Sequence, residues 1–245
     1  MSKKQRLDVL LVERYPQYSR SYIHSIIMQG KVLHNGQPVT KPGTAMASDA
    51  ELTLSAEQPK WVCRAGAKLE AALDHFKVDV AGLTILDAGL STGGFTDCML
   101  QRGAKKIYGI DVGHGQVHEK IAADPRVVVM EKTNLRYVTG LPDKIDLATL
   151  DVSFISLLTV MPAVISCLAP HGRVICLIKP QFEAGRHQVR RGGLIEDPAV
   201  HQEVIDKVVK GCRILGLTLL DEVIPSPLPG ATSGNIEFLA LFELR

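Results

Sequence analysis

The sequence predicts an α/β domain, a mostly parallel sheet with helices on both faces and one antiparallel strand, preceded by a small α+β domain. Three observations carry that prediction. From residue 83 onward, short apolar runs alternate with helix-length segments, a spacing that calls for parallel strands joined by crossover helices. Near the head of that series an apolar run, residues 83–86, passes directly into the glycine-rich turn Asp87-Ala88-Gly89-Leu90-Ser91-Thr92-Gly93-Gly94-Phe95 and then into a helix. Charge is also uneven: residues 1–47 hold seven Lys or Arg against two acids, a net +5, in a chain whose net charge is only +2.

Taken in order, Leu7, Leu10, Leu11 and Val12 recur at helical spacing and define a first helix that Tyr15-Pro16 ends. Ser19 is placed to cap a second helix over 20–28, with Ile23, Ile26 and Ile27 turned inward. Gly30 stops it, and residues 31–39 form two strands about an Asn35-Gly36 turn. Lys41-Pro42-Gly43 turns again before a closing strand over 50–54. Residues 1–55 therefore form the small domain, residues 56–63 a linker, and residues 64–245 the α/β domain.

In the larger domain Leu69, Ala72, Leu73 and Phe76 line the buried face of an entry helix. Strands follow at 83–87, 106–111, 126–130, 146–151 and 173–178, with helices at 96–102, 117–122, 156–168 and 199–215. Two final strands, 218–224 and 236–244, have no helix between them. They predict a hairpin, hence one strand antiparallel to the rest, which is the arrangement of class I (Rossmann-like) methyltransferases.

Bulk properties narrow the function classes. An apolar fraction of 46% suffices for a buried core and 22% charged residues is ordinary for a folded domain. Five cysteines, widely spaced and without a Cys-x-x-Cys pair, suit reduced core positions better than a disulfide framework or a metal site. The longest apolar stretch, 155–169, is too short to span a bilayer. These features predict a cytoplasmic protein, or an organellar one if a transit peptide was removed. A basic head on a mildly acidic body suits a polyanionic partner or, equally on charge alone, a solvated charged face.

The glycine turn is a ligand seat in kind: glycines admit close backbone approach, and the N–H groups of the following helix face polar atoms. Asp111 lies 22 residues past Gly89, where nucleotide-binding α/β folds place a ribose-binding acid. The Gly-x-x-x-Gly-Gly spacing differs from the Gly-x-Gly-x-x-Gly of dinucleotide enzymes. An adenosine-bearing cofactor without a pyrophosphate, such as S-adenosylmethionine, fits it better than a nicotinamide dinucleotide. The candidate cofactor residues are Asp87, Ala88, Gly89, Ser91, Gly93, Gly94, Phe95, Asp111 and Asn134, the last placed to read an adenine edge. Asp151 and Lys179 close two further strands; singly, the first could be a helix cap and the second a turn lysine.

Two resemblances sharpen this. Residues 1–55, two short helices followed by Gly-x-Val-x-x-Asn-Gly-x-x-Val-x-Lys-Pro-Gly, resemble the small RNA-binding module first described in a ribosomal small-subunit protein, the S-four domain. That resemblance points Arg20, His24 and Lys31 at RNA. The segments 87–98, Ile-Asp-Val-Gly at 110–113, Thr-Asn-Leu-Arg at 133–136, Asp-Val-Ser-Phe-Ile-Ser at 151–156, Lys-Pro-Gln-Phe-Glu-Ala-Gly at 179–185 and Gly-Asn-Ile-Glu-Phe at 234–238 resemble the haemolysin A-like (TlyA-type) rRNA methyltransferases. These belong with the FtsJ-like ribose methyltransferases, whose Lys-Asp-Lys-Glu tetrad carries over as Lys68, Asp151, Lys179 and Glu237.

The resemblance implies S-adenosylmethionine-dependent methylation of a ribose 2′-OH, with ribosomal RNA or ribosomal subunits as partners. Two residues depart from the family pattern: Leu90, expected to narrow the methionine end of the cofactor pocket, and Cys63, where serine is common. A non-catalytic RNA-binding or ribosome-assembly factor is the alternative, which the intact tetrad disfavours. A membrane-active haemolysin is disfavoured by the lack of a spanning or strongly cationic amphipathic helix.

Overall fold

The computed structural model describes residues 4–16, 18, 20–55, 60–230 and 234–245. Ser19, the expected helix cap, and residues 56–59 of the expected linker lie outside the described residues. The chain divides into two compact units, Met1–Lys60 and Trp61–Arg245.

In the first unit, α1 (Leu7–Arg14) and α2 (Arg20–Met28) follow a short strand β1 (Lys4–Arg6). Leu7, Leu10 and Leu11 of α1 and Ile23, Ile26 and Ile27 of α2 form the core with Val32 and Met46. Strands β2 (Val32–His34) and β3 (Gln37–Pro38) make the expected hairpin, in which Asn35 and Gly36 both take the positive φ that such a turn requires. The sequence reading missed one pairing: β1 runs antiparallel to β4 (Ala45–Ala47) as a separate ribbon. The closing strand β5 (Leu52–Leu54) is shorter than expected and pairs with β2.

The second unit opens with α3 (Ala65–His75) and continues as β6 (Thr84–Ala88), α4 (Gly94–Gln101), β7 (Lys106–Ile110), α5 (Glu119–Ala122), β8 (Val127–Met130), β9 (Ile145–Leu150), α6 (Leu157–Cys167), β10 (Leu168–Ile178), α7 (Pro180–Glu183), α8 (Pro198–Ile214), β11 (Leu217–Leu219), β12 (Ile224–Pro225) and β13 (Phe238–Leu244). Its sheet runs β11-β13-β10-β9-β6-β7-β8, with β12 also on β13. The pairs β10–β9, β9–β6, β6–β7 and β7–β8 are parallel, and β13 is the antiparallel member. This is the mostly parallel sheet with one reversed strand that the alternation predicted.

Successive residues of a strand face opposite layers, and the two cores follow that rule. Val174, Cys176 and Ile178 of β10 pack with Val160, Met161 and Val164 of α6 and Val204 and Val208 of α8. Ile175 and Leu177 pack on the other side with Leu69 and Leu73 of α3 and Phe95 and Met99 of α4. Trp61 belongs to this second cluster, its ring so close beneath Gly66 that a Cβ there would sit 2.4 Å from the indole. The five cysteines are free thiols, four of them buried. Among the described residues no helix is long and apolar enough to cross a membrane.

Candidate active site

Parallel strands deliver their carboxyl ends, and the side chains just beyond them, to one edge of a sheet. The turn after β6 shows what its glycines are for. Gly89 has φ +87°, and a Cβ there would lie 2.6 Å from the backbone oxygen of Asp151. A Cβ on Gly93 would meet Ile121 at 2.8 Å, and one on Gly94 would meet the Cys63 thiol at 2.4 Å. The glycines thus let the turn nest against the chain's own α5, the segment before α3 and the end of β9.

Asp87 lies beneath this turn, fully buried. Its carboxylate accepts the Thr96 hydroxyl at 2.6 Å and the Thr149 hydroxyl at 3.0 Å, which ties β6 to α4 and β9. Burial pushes its pKa up to about 6, the two hydroxyls opposing the shift. Leu90 is a core residue, its side chain buried against Gly109 of β7, where a Cβ would stand 2.7 Å from it. It fills core space below the turn, because its apolar side chain packs into the slot a Cβ-less strand residue leaves.

One residue beyond β7, Asp111 accepts the backbone N–H of Ser91 at 2.7 Å on one oxygen and that of Gly113 at 2.6 Å on the other. It therefore pins the turn to the loop after β7, and each oxygen keeps a lone pair for a further donor such as a ribose hydroxyl. Ser91 is held at φ +49° and is exposed, while Ala88, Gly93, Gly94 and Phe95 are buried. Asn134 is exposed and caps the short 3-10 turn Leu135–Tyr137 by accepting the Arg136 N–H at 3.1 Å.

The tetrad forms as two ion pairs. Lys179 follows β10 and donates to Asp151 at 2.6 Å and to the Ser153 hydroxyl at 2.9 Å. Lys68, one turn into α3, donates to Glu237 at 2.5 Å. Register explains the gathering: Ile178 pairs with Phe238, so the next residue on β10 and the preceding one on β13 are Lys179 and Glu237. Cys176 pairs with Leu150, which brings Asp151 to the same edge. Glu237 stands just ahead of its strand, not inside it as expected, because the ladder with β10 begins at Phe238. Lys68, Lys179 and Glu237 are buried. The helix-cap reading of Asp151 fails, since the cap of α6 is Ser156, whose Oγ accepts the Leu158 N–H.

Within the first unit, two of the three RNA candidates meet on a residue the sequence reading passed over. Asp8 is fully buried and takes Arg6 through a bidentate pair at 2.9 and 3.0 Å, His24 at 3.0 Å and Arg20 at 3.7 Å. The Arg6 guanidinium holds the Asp8 carboxyl well below the usual range, burial opposing it and the His24 hydrogen bond adding to it. Arg20 and His24 stand four apart on α2 and so share a face. Lys31, exposed, lies beyond the end of that helix and joins no ion pair among the described residues. A lone acid in an otherwise apolar helix start, Leu7-Asp8-Val9-Leu10, was the available signal for Asp8.

Three further polar residues that the sequence did not single out bond within or beside this site: Ser153 to Lys179, Thr149 to Asp87, and Glu183. Glu183 is buried, and its carboxylate accepts the Ser156 hydroxyl at 2.7 Å and the Leu157 N–H at 2.6 Å. Burial raises its pKa while those two donors lower it. Phe154, exposed and at φ +63°, packs against Phe182 with ring centroids 5.2 Å apart and the planes tilted by 49°.

Comparison with known proteins agrees with this fold. The FtsJ-like methyltransferase family model matches residues 61–243 and the S4 domain model residues 5–47. The 16S/23S rRNA (cytidine-2′-O)-methyltransferase TlyA of Mycobacterium tuberculosis is 42% identical over 241 residues, covering 97% of this chain and 89% of that protein. Hemolysin A of Brachyspira hyodysenteriae is 38% identical over 240 residues, covering 97% and 99%. A solved structure from Streptococcus thermophilus that carries a hemolysin designation is 39% identical with TM-score 0.78, covering 100% of this chain and 90% of that one. The chain belongs to the FtsJ-like methyltransferase family, with an S4 domain ahead of its methyltransferase domain.

Proposed function

We propose that this chain methylates a ribose 2′-OH of ribosomal RNA, with cytidine, the nucleoside named for its M. tuberculosis relative, as the target. The observation that carries the reading is the two ion pairs with buried lysines, Lys179–Asp151 and Lys68–Glu237, assembled from three neighbouring strand ends and α3. S-adenosylmethionine supplies an electrophilic methyl when bound. The residues present fit it: Asp111 retains lone pairs for the ribose hydroxyls, Asn134 keeps an amide for the adenine edge, and the turn 87–95 carries the backbone between them.

Lys179 is the group at the target hydroxyl. Its ammonium or amine is aimed by Asp151 and Ser153, so it stabilises the developing alkoxide or accepts its proton. Glu237 holds Lys68, which adds positive charge at the same edge. Orientation is the other contribution, because in-line transfer tolerates little displacement of the hydroxyl. The 1–55 domain selects RNA through Arg20, His24 and Lys31, the 64–245 domain does the chemistry, and an rRNA substrate calls for a compartment that holds ribosomes, the cytoplasm or an organelle.

The test is methylation of naked rRNA, separate subunits and whole ribosomes with labelled cofactor, followed by alkaline hydrolysis. A 2′-O-methyl leaves an alkali-resistant dinucleotide at cytidine. Label recovered only in a base overturns the ribose assignment.

A further inference from the structure

Lys179 and Asp151 sit where their strands have ended, so the β9–β10 ladder no longer fixes their separation. Two chain segments leave the sheet there: residues 151–156, which have no regular structure before α6, and residues 179–183, the short α7 with its preceding lysine. Three cross-links join them. Lys179 reaches Asp151 and Ser153, Phe182 packs at a tilt against Phe154, and at the far end the Glu183 carboxylate accepts both the Ser156 hydroxyl and the Leu157 N–H. The first cross-link is the catalytic pair itself, and the second is a tilted ring contact open to solvent on Phe154. Only the third is buried and bidentate.

We infer that Glu183 is a positioning residue for the reaction, locking segment 179–183 against segment 151–156 so that Lys179 and Asp151 keep their alignment. It works from both ends. Its side chain accepts the first N–H of α6, that of Leu157, where a carboxylate meets the favourable end of the helix dipole. Its own backbone oxygen accepts Lys207 Nζ of α8 at 2.5 Å, which anchors the end of α7. Supporting groups of this kind decide whether a reacting group stays within a fraction of an ångström of its productive position, and an error near 1 Å costs on the order of 10²-fold in rate.

The inference rests on the methyl-transfer reading above, and the experiment separates the two. Glu183→Gln and Ser156→Ala are made in the full chain and assayed on the rRNA or particle that the parent protein methylates. The measurements are single-turnover rate across pH, affinities for S-adenosylmethionine and RNA, and acylation of Lys179 by acetic anhydride relative to exposed Lys210. Glu183→Gln is expected to lower the rate at least about tenfold with both affinities within about twofold, and to shift the pH–rate profile and the Lys179 reactivity. Ser156→Ala, which removes one of the two hydrogen bonds, gives the same pattern at about threefold, and carries the test if the first variant does not fold.

An unchanged rate in a folded variant overturns the role. So does a rate that falls in step with both affinities while the pH profile and Lys179 reactivity stay put, since that is loss of structure alone. If the parent protein places no methyl on ribose, the functional reading fails, while Lys179 acylation still decides whether Glu183 holds the lysine.

Discussion

Asp8 in the first unit and Asp87 in the second are both fully buried aspartates, and they titrate in opposite directions. Asp8 has guanidinium and imidazole partners, and its pKa falls below the usual range. Asp87 has two hydroxyls, and its pKa rises to about 6. Both carboxylates are covered, but Asp8 lies just beneath exposed cations while Asp87 lies deep in the core, so partners and depth together set the sign. The same contrast separates the two charge clusters. Around Asp8 the carboxylate is hidden and the cations face water, with Arg6 and Arg20 side chains 56% and 71% exposed. In the tetrad the cations are hidden too, Lys68 and Lys179 side chains being only 6% and 9% exposed. The first arrangement leaves positive charge facing solvent, where the proposed RNA would meet it; the second withholds it, in the proposed reaction, for a single oxygen.

The sharpest way to break that contrast is to remove one buried cation. Lys179→Ala is expected to lower methyl transfer about 10³-fold, in the range of losing a positioned acid–base or electrostatic group. Binding of S-adenosylmethionine and of RNA should stay within about twofold, because neither depends on that ammonium. Single-turnover rates with equilibrium binding of both ligands decide it, and an equal loss of RNA affinity would erase the distinction between the clusters.

Asp87 gives the next effect. Its folded pKa lies about two units above the ordinary aspartate value, so between roughly pH 4 and 6 the folded state binds the proton that the unfolded state has released. Stability from this group is therefore highest below about pH 4 and is lost as pH rises through 6. At neutral pH the ionised, buried carboxylate costs as much as roughly 3 kcal/mol. Asp87→Asn keeps an acceptor for one threonine hydroxyl and offers an amide to the other. It should flatten the pH dependence over that window and stabilise the second unit at pH 7, measured by urea unfolding at several pH values. A neutral-pH loss of stability with the slope intact would show that the hydroxyl pairing outweighs the burial.

Asp8 has the opposite sign. Its folded pKa is depressed, so its contribution is present above the ordinary aspartate pKa and is lost as pH falls through the folded value. Acid below about pH 4 should loosen the first unit while Asp87 is protonated and content. Asp8→Asn at neutral pH frees Arg6, Arg20 and His24 from their common anchor. About tenfold weaker RNA binding with unchanged transfer at saturating RNA is the expected outcome, measured by filter binding alongside turnover.

How far the sequence carried these regions follows from where each determinant lies. Alternating apolar runs are local, so the parallel sheet and its reversed last strand could be read directly. The β1–β4 ribbon could not, because Lys4-Gln5-Arg6 has no apolar alternation and exists as a strand only through its partner. The tetrad came through motif resemblance, and its geometry follows from ladder register. Ser153 and Glu183 act on residues 26 and 27 positions away, a relation that no spacing rule reveals. The glycine turn was half legible: its place in the fold was right, but Gly89, Gly93 and Gly94 admit the chain's own Asp151, Ile121 and Cys63, and Leu90 turned out to be core.

The smallest expected effect tests whether the first unit's cations act as one anchored patch or as separate charges. Arg20 is tethered to Asp8 while Lys31 has no such partner among the described ion pairs, although both are exposed. If each touches one phosphate, Arg20→Ala and Lys31→Ala should each weaken RNA binding a few-fold and reduce the slope of log K against log salt by about one. The anchored patch adds a difference between them. In an Asp8→Asn background the Arg20 substitution should lose much of its effect, because the guanidinium is no longer held, while the Lys31 substitution should keep all of its own. Equal, additive losses in both backgrounds would reduce Asp8 to a folding residue and leave the first unit a simple sum of charges.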